Sequence, residues 1–592
     1  MHGNIPNTSS PRICIKDDVS GKWLHFKSVK RLLRCESAAE VEPLLLEVEA
    51  HVARGWYAAG FVCYEAAEAF MELKTDHPTA DLPLLWFALS EDVETLASID
   101  NCREWQKLPW RPNFTYARYR CALGQIKAAI ARGETYQVNY TYGLHAEVGG
   151  DFNPWDFFCY LNHRQQGRYA AYMDIGSHVV CSASPELFYA VEGEHIFTRP
   201  MKGTTPRGKT AAEDARLAEQ LQRSEKNRAE NLMIVDMLRN DISHIAETGS
   251  VMTGELFSLE QYPNVWQMTS TVTATQRKDV TLADQFRALF PCASITGAPK
   301  RKTMEWISRL EAQPRGVYTG AIGFLHPAGR RQFSVAIRTA IYARNNNQLR
   351  YGVGGGIVWD SECADEWCES RSKASILPGM GDFSLLETLL WQPGTGFRNF
   401  KYHLQRLTTS AEVFGIPVDI QCIRQQVIDA VAALAHPRSL RVRLQVDFLG
   451  RLTCQLTPHQ REPLIRPVRL ALAPGPINSE DIWLRHKTDQ RQLYADLLKG
   501  CAADAADVLL YNERNEITET SIANVVLRKE GRWLTPPLSS GLLPGTMRQR
   551  LLDEGKVSEE VLTLADLNCG DIYLINSLRG WRWAVCIQMQ NR

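Results

Sequence analysis

Apolar positions repeat along this chain in two periods, one near 3.6 residues and one of two. From Tyr116 to Arg132, Leu123, Ile126 and Ile130 fall on one helical face and Gly133 follows as a stop, so the spacing predicts a helix. The run Tyr136-Gln137-Val138-Asn139-Tyr140-Thr141 is β-branched and aromatic and predicts a strand. Trp23 to Phe26 reads as strand and Val41 to Ala53 as helix. A strand from Val179 to Ala183 leads into Ser184-Pro185-Glu186, and one from Glu194 to Thr198 leads into Lys202. Glu186 and Lys202 are therefore expected at the ends of neighbouring strands. A long helix is expected from about Ser224 to Arg239, packed through Leu232, Val235 and Leu238, with Asn227 and Glu230 sharing a face. Arg338 falls in an expected strand, Phe333 to Tyr342, and Asp360 to Ala374 opens a helix.

The pattern restarts after Ile376 to Asp382, where Pro378, Gly379 and Gly381 mark a short linker. The expected organisation is one domain over 1–375, a linker over 376–382 and a second domain over 383–592. A chain of 592 residues needs at least two cores, since single cores rarely grow past about 250–300 residues. In the second domain Phe383 to Leu389 reads as strand, and Phe400 to Leu407 opens a helix that ends before Gly415-Ile416-Pro417. Leu440 to Val446 and Leu452 to Leu456 read as paired strands around Leu449-Gly450.

Composition narrows the function classes. Acidic and basic residues balance at 67 each. No basic excess or run points to nucleic acid or to an anionic membrane. Met1 to Lys16 is polar, unlike a signal peptide, and no run reaches the ~18 apolar residues of a span. The fifteen cysteines are scattered and odd in number, which favours a reduced, cytoplasmic protein over a disulfide framework or zinc site.

Candidate chemistry begins at Arg199-Pro200-Met201-Lys202-Gly203-Thr204. Pro200 fixes a turn, Gly203 admits close approach, and Glu186 lies one hairpin away. Such a lysine and glutamate can serve as nucleophile and general acid. Taken alone, Lys202 is more often a surface lysine. Ser294-Ile295-Thr296-Gly297-Ala298-Pro299-Lys300 precedes a helix start suited to a carboxylate or phosphate. Gly352-Val353-Gly354-Gly355-Gly356-Ile357-Val358 reads as a loop of bare backbone, also suited to an anion, and Arg338 completes a carboxylate clamp. Glu366, Glu369 and Lys373 share a helical face. With Glu230 they offer carboxylates from two helices, a hard oxygen set that suits magnesium.

These segments, with Ala229-Glu230-Asn231-Leu232-Met233-Ile234-Val235-Asp236 and Arg239-Asn240-Asp241, occur in an order that resembles the chorismate-utilising enzymes, specifically component I of aminodeoxychorismate synthase, over roughly residues 1–375. The second half carries Arg485-His486-Lys487-Thr488, Glu516 to Asn524 and Gly541-Leu542-Leu543-Pro544-Gly545-Thr546-Met547-Arg548. In that order they resemble the fold-type IV pyridoxal-phosphate enzymes, and the run from Lys487 to Asp496 is nearer aminodeoxychorismate lyase than the transaminases.

The resemblance implies an α/β (α+β) chain: a two-layer α/β sandwich, then a two-subdomain fold-type IV α/β unit. It implies chorismate and Mg²⁺ in the first half, with Lys202 and Glu186 reacting. Thr296, Gly297, Arg338, Gly354, Gly355 and Lys373 would bind substrate, and Glu230, Glu369, Glu366 and Asn227 would hold the metal. A lysine at 202 is typical of aminodeoxychorismate synthase, where anthranilate synthases have alanine. Gln137 stands where water-adding relatives have a lysine base, and Gln267 where anthranilate synthases have histidine. In the second half it implies pyridoxal 5'-phosphate with Lys487 moving protons, Glu519 at the ring nitrogen, and Arg406, Gly545 and Thr546 at the phosphate. Arg443, then Arg441, is expected at a substrate carboxylate. No glutaminase segment is found, so a separate glutamine amidotransferase subunit is expected to supply ammonia, and a homodimer through the second domain is expected. The implied product is 4-aminobenzoate. The rival is an anthranilate synthase component I joined to a branched-chain or D-amino-acid transaminase.

Overall fold

Two large antiparallel sheets face each other across the core of the first unit, Met1–Pro378. The computed structural model describes residues 12–73, 81–99, 105, 107–208, 211–262, 265–380, 383–434, 438–447, 450–460, 467–499 and 505–587. Residues 1–11, Gly381 and Asp382 of the expected linker, and Leu449 of the expected turn lie outside them.

The first sheet runs Gly297–Ala298, Gln137–Glu147, Gln348–Ile357, Thr339–Ala343, His178–Ser182, Ala171–Asp174, Ile13–Lys16, Trp23–Phe26 and Glu94–Leu96. The second runs Met252–Thr253, Val272–Thr275, His195–Arg199, Leu187–Glu192, Arg331–Val335, Ala321–Leu325, Tyr57–Val62, Leu85–Ser90 and Arg31–Cys35. Ile13, Ile15, Phe26 and Met173 of the first sheet pack with Phe61, Trp86, Ile322 and Phe324 of the second, the alternate inward positions expected of a two-layer sandwich.

Three expectations change. The glycine run is a strand, not a loop: Gly354, Gly355 and Gly356 pair with Thr141, Tyr140 and Asn139 inside an unbroken ladder. A side chain at Gly354 would lie 2.3 Å from the Tyr140 carbonyl oxygen and one at Gly352 would enter the Tyr318 ring, so bare backbone is required by packing. The strand expected from Phe333 to Tyr342 divides: Arg331–Val335 belongs to the second sheet and Thr339–Ala343 to the first. Arg338 makes the crossing with a left-handed φ of 53°. His178–Ser182 likewise lies in the other sheet from His195–Arg199. It is Leu187–Glu192, following Glu186, that pairs with His195–Arg199, so the hairpin between Glu186 and Lys202 stands.

The helices follow their signals, except that Leu232, expected to pack the long helix, is 50% exposed, and Ile234 and Ile242 are buried beside Val235 and Leu238. Tyr116–Ala131 starts at Thr115, whose side chain accepts from the Arg118 N–H. Glu225–Ser243 is capped by Ser224 and runs one turn past the expected Arg239. Cys363–Lys373 carries Glu366 and Glu369.

The second unit, Gly379–Arg592, holds a four-stranded antiparallel sheet, Gly396–Phe397, Leu385–Gln392, Leu440–Val446 and Leu452–Pro458. Helix Phe400–Phe414 packs on it and ends in a left-handed Gly415. The larger sheet closes on itself: Ile517–Thr520 pairs with both Asp507–Tyr511 and Asn524–Lys529. Val468–Leu472, Gly580–Cys586 and Asp571–Asn576 complete the ring. Leu470, Leu509, Val525 and Leu574 are among its core residues, and closure leaves these strands no free edge.

Gly297 shows how tightly the first sheet is joined. It pairs with Val138 at φ 138°, and an added Cβ would sit 1.9 Å from the Gln137 carbonyl oxygen. Gly297→Ala is expected to cost at least about 1–3 kcal/mol, read as a lowered urea midpoint; an unchanged midpoint would contradict this packing.

Candidate active sites

In the first unit Gly355 and Gly356, consecutive on one strand, each stand close to reactive or polar groups. A Cβ on Gly356 would stand 2.7 Å from Gln137 Nε2 and 3.4 Å from Lys202 Nζ; one on Gly355 would stand 3.4 Å from Glu366 Oε2 and 3.6 Å from Lys373 Nζ. Each glycine therefore leaves room for a pair of such groups, Gln137 with Lys202 at one and Glu366 with Lys373 at the other. Lys202 enters from strand Met201–Pro206, and its Nζ donates to the Ser294 carbonyl at 3.3 Å. Gly203, at φ 86°, brings that strand against Asn227. Gln267 ties it down, accepting from Thr204 at 2.8 Å and donating to the Gly203 carbonyl at 3.0 Å.

Buried polar atoms here lack partners. Both amide atoms of Gln137 and Oε1 of Glu186 are buried and make no hydrogen bond among the described residues. Such atoms cost free energy unless a ligand or water completes them. Burial pushes the Glu186 carboxyl above its ordinary range, against a hydrogen bond from Ser294 and the charge of Lys202. Burial pushes the Lys202 amine below its range, against the pull of Glu230, and the Lys373 charge adds to the fall.

Thr296 is fully buried and donates to the Cys292 carbonyl at 3.1 Å. Arg338 donates to the Lys373 carbonyl, and Lys373 Nζ bonds the Gly354 carbonyl at 3.0 Å and Glu369 at 2.8 Å. Glu366 accepts from Ser361 at 2.6 Å. Glu230 and Glu366 are raised by burial, and Glu369's charge raises both further. Glu369 itself is lowered, chiefly by Lys373. The carboxylates thus feel one another, yet among the described residues no group of three or more acidic, histidine or cysteine side chains gathers as a finished metal centre. Asn227 Nδ2 bonds its own cap, Ser224, at 2.9 Å.

Behind this wall Arg315 uses every N–H it has. It grips Glu311 with two, at 2.9 and 2.7 Å, and the remainder reach the Ile295, Asn139 and Thr319 oxygens. It so fixes the two segments that carry Gln137 and Ser294.

In the second unit a cavity of about 360 Å³ is lined by Lys487, Glu519, Arg406 and Thr546. Lys487 follows the short helix Ile482–Arg485, and its carbonyl accepts from Leu386 N at 2.8 Å, which anchors it to the small sheet. Burial pushes its amine down to about 8, with Arg406 the next cause. Glu519 accepts from Tyr494 Oη at 2.8 Å, Leu543 N at 3.2 Å and Asn524 Nδ2 at 3.4 Å. Burial still raises it to about 7. Arg406 donates twice to Glu387, at 2.8 and 2.7 Å, and once to the Pro544 carbonyl at 3.1 Å. Gly545 caps helix Thr546–Asp553. A Cβ on Gly545 would fall 1.7 Å from Asn524 Oδ1. Arg441 and Arg443, two apart on one strand, both line the cavity. Their side chains make no ion pair or hydrogen bond among the described residues.

Sequence reasoning missed Glu387 and His403. The signals were there: an acid inside the apolar run Leu385 to Leu389, and a histidine three residues before Arg406 on one helix face. It also missed Ser361 and the partnership of Tyr494 with Glu519, which no local pattern announces.

Residues 95–378 match the family of chorismate binding enzymes, and residues 384–585 match amino-transferase class IV. An aminodeoxychorismate synthase component 1 of Escherichia coli K12 is 40% identical over 266 residues, 45% of this chain and 58% of that protein. An aminodeoxychorismate synthase of Streptomyces griseus is 45% identical over 249 residues, 42% of this chain and 34% of that protein. The chain thus spans about half, or less, of the length of the curated relatives it matches. The solved anthranilate synthase component I of Streptococcus pneumoniae superposes with a TM-score of 0.50 at 26% identity, covering 63% of this chain and 93% of that one.

The depressed amine gives a test by pH. Lys487 binds its proton less tightly folded than unfolded, so its contribution to stability is full above its ordinary pKa of about 10.5 and is lost as pH falls towards about 8. The rate at which it captures pyridoxal phosphate is expected to rise about tenfold per pH unit and level near pH 8, followed by absorbance against a Lys487→Ala control; levelling near 10.5 would refute the depression.

Proposed function

We propose that this chain, a chorismate binding enzyme over residues 95–378 and a class IV amino-transferase over residues 384–585, performs two consecutive steps of 4-aminobenzoate synthesis, the folate precursor. The first replaces the C4 hydroxyl of chorismate with an amino group. The second removes pyruvate from the resulting 4-amino-4-deoxychorismate. The observation that carries the reading is Lys202: an amine depressed by burial, 3.3 Å from the Ser294 carbonyl, and an electrostatic neighbour of the raised carboxyl of Glu186.

In the first step Glu186 protonates the departing C4 hydroxyl while the neutral Lys202 amine adds at C2. Ammonia then attacks C4, the double bond shifts back, and Lys202 leaves as the amine. Burial favours both conditions at once, pushing Glu186 towards the protonated acid and Lys202 towards the free amine. Arg338, Thr296 and the Gly297, Gly354 and Gly355 backbone are the groups for the substrate's polar edge, with Lys373 facing its carboxylates. Glu230, Glu366 and Glu369, with Asn227 beside them, fit magnesium in donor chemistry, being hard oxygens already placed as electrostatic neighbours. The ion would neutralise a ring carboxylate, and Glu369 would exchange Lys373 for it.

In the second step Lys487 takes the C4 proton and pyruvate departs as the ring becomes aromatic. Pyridoxal phosphate fits the cavity: Lys487 and Glu519 line it and the Gly545 backbone meets Asn524 too closely for any side chain. Bound there, it supplies an electron sink. Glu519, raised by burial, keeps a proton available at the ring nitrogen, and Arg406 with the start of helix Thr546–Asp553 receives the phosphate. Arg443 and Arg441, unpaired among the described residues, hold the substrate carboxylates.

Ammonia comes from a separate glutamine amidotransferase, consistent with relatives named component 1. The second domain pairs the chain as a homodimer. Among the described residues no helix is long and apolar enough to cross a membrane, and we place both steps in the cytoplasm, in domains divided near residues 376–382.

The test is purified protein with chorismate, Mg²⁺, pyridoxal phosphate and an ammonium salt, followed for 4-aminobenzoate and pyruvate. Lys487→Ala is expected to accumulate aminodeoxychorismate, and Glu186→Gln to slow the first step by about 10²–10⁴-fold. Anthranilate as the product would overturn the first assignment, and accumulation of aminodeoxychorismate by the unmutated protein would overturn the second.

A further inference from the structure

A buried hydrogen-bond chain runs through the second unit's cavity wall, and the proposed reaction leaves two of its members, Glu387 and His403, without a role. Glu387, 1% exposed, accepts from Arg406 Nε on Oε1 and from Arg406 Nη2 on Oε2. The same Oε2 stands 2.6 Å from His403 Nδ1. His403, 2% exposed, meets Thr546 Oγ1 through Nε2 at 3.2 Å. Thr546 Oγ1 lies 2.6 Å from Ser577 Oγ, which accepts from Asn399 Nδ2 at 2.8 Å.

Donor and acceptor rules give this chain a direction. An ionised carboxylate only accepts, so His403 Nδ1 carries hydrogen. A second proton on that ring would set a new cation beside the Arg406 guanidinium in a buried place. Nε2 is therefore a bare acceptor, and the Thr546 hydroxyl must donate to it. Thr546 in turn accepts from Ser577, and Ser577 from Asn399. One negative charge thus aligns every donor in the row towards itself, and it also fixes the plane of Arg406, whose Nη1 holds the Pro544 carbonyl just before the Gly545 turn. With its hydrogen committed, the Thr546 hydroxyl has none for an anion in the cavity. Such an anion is left the helix-start N–H groups and Arg406.

We propose that Glu387 is the positioning residue of the cavity's anion seat, orienting Arg406 directly and the Thr546–Ser577 hydroxyl pair through the tautomer of His403. The inference rests on reading that seat as the place of a cofactor phosphate, and it assigns Glu387 no contact with the cofactor. Buried charge pairs are weak devices for stability and better ones for geometry, and partners of this rank commonly set the tautomer of a functional histidine.

The test has two arms on the full chain. In ¹⁵N-histidine spectra, with His403 identified by its loss in His403→Asn, the wild type is expected as the Nδ1–H tautomer and Glu387→Gln is expected to shift towards Nε2–H. A wild-type ring in the Nε2–H form, or doubly protonated, overturns the proposal. In the second arm, dissociation constants are measured for pyridoxal phosphate and for pyridoxal, which lacks the phosphate. Glu387→Gln is expected to weaken the first at least tenfold and leave the second within about twofold, a split a general loss of structure would not give. Equal weakening of both, or of neither, overturns it. Failure of the wild type to bind pyridoxal phosphate instead overturns the cofactor reading, and the phosphate seat with it.

Discussion

An ammonium taken out of water loses several kcal/mol of solvation unless oxygen atoms surround it, and the cheaper outcome is to give up the proton. Lys202 and Lys487 are each placed so that burial makes the proton easier to give up. Lys202 has one carbonyl within hydrogen-bond reach, and Lys487 has Arg406 as a cationic neighbour. Each shares its site with a carboxyl that burial pushes the other way, Glu186 in the first and Glu519 in the second. The ordinary result of bringing lysine to glutamate is an ion pair. Here the two affinities are driven towards each other, the arrangement that acid–base work near neutral pH calls for.

Geometry around these groups is kept by two buried forks. Arg315 with Glu311 joins segments that carry Gln137 and Ser294, and Arg406 with Glu387 joins the small sheet to the Pro544 turn. Both arginines reach backbone carbonyls as well as a carboxylate, so what they hold is main chain. Rigid main chain matters most where side chains are absent, and the Gly354 to Gly356 strand is such a place.

Much of this was legible in the chain because it is local. Apolar spacing marked helix Tyr116–Ala131 closely, helix Glu225–Ser243 to within a turn, and the first half of strand Gln137–Glu147. Motif order brought Lys202, Glu186, Thr296, Gly355, Glu366 and Lys373 into view, and Lys373 stands as an electrostatic neighbour of Lys202, Glu186 and Glu366. Illegible were the features decided by partners distant in sequence. Arg338 looks like strand from its neighbours, but the chain changes sheets there, and only a long-range view shows it. The glycines read as loop by composition, yet Tyr140, Thr141 and Tyr318 occupy the space their side chains would need. The convergence of Glu387, His403, Thr546 and Ser577 draws on segments nearly two hundred residues apart, and no local pattern reports that.

The interleaving of the first unit's sheets bears on how the polypeptide is made. Ala59 lies opposite Phe324 and Ile13 opposite Met173, so strands Tyr57–Val62 and Ile13–Lys16 find one neighbour soon, Leu85–Ser90 and Trp23–Phe26, and wait for the other. At about 5–20 residues per second, the roughly 260 residues between Ala59 and Phe324 take on the order of 13–50 s to appear. For that interval Phe61 and Trp86, cross-strand partners, lack the cover of Ile322 and Phe324, and non-local topologies of this kind fold slowly even when complete. The second unit pairs its strands within a shorter span and is exempt from most of that delay. The burden on chaperones, and the yield lost to aggregation at high expression, therefore belong to the nascent first unit.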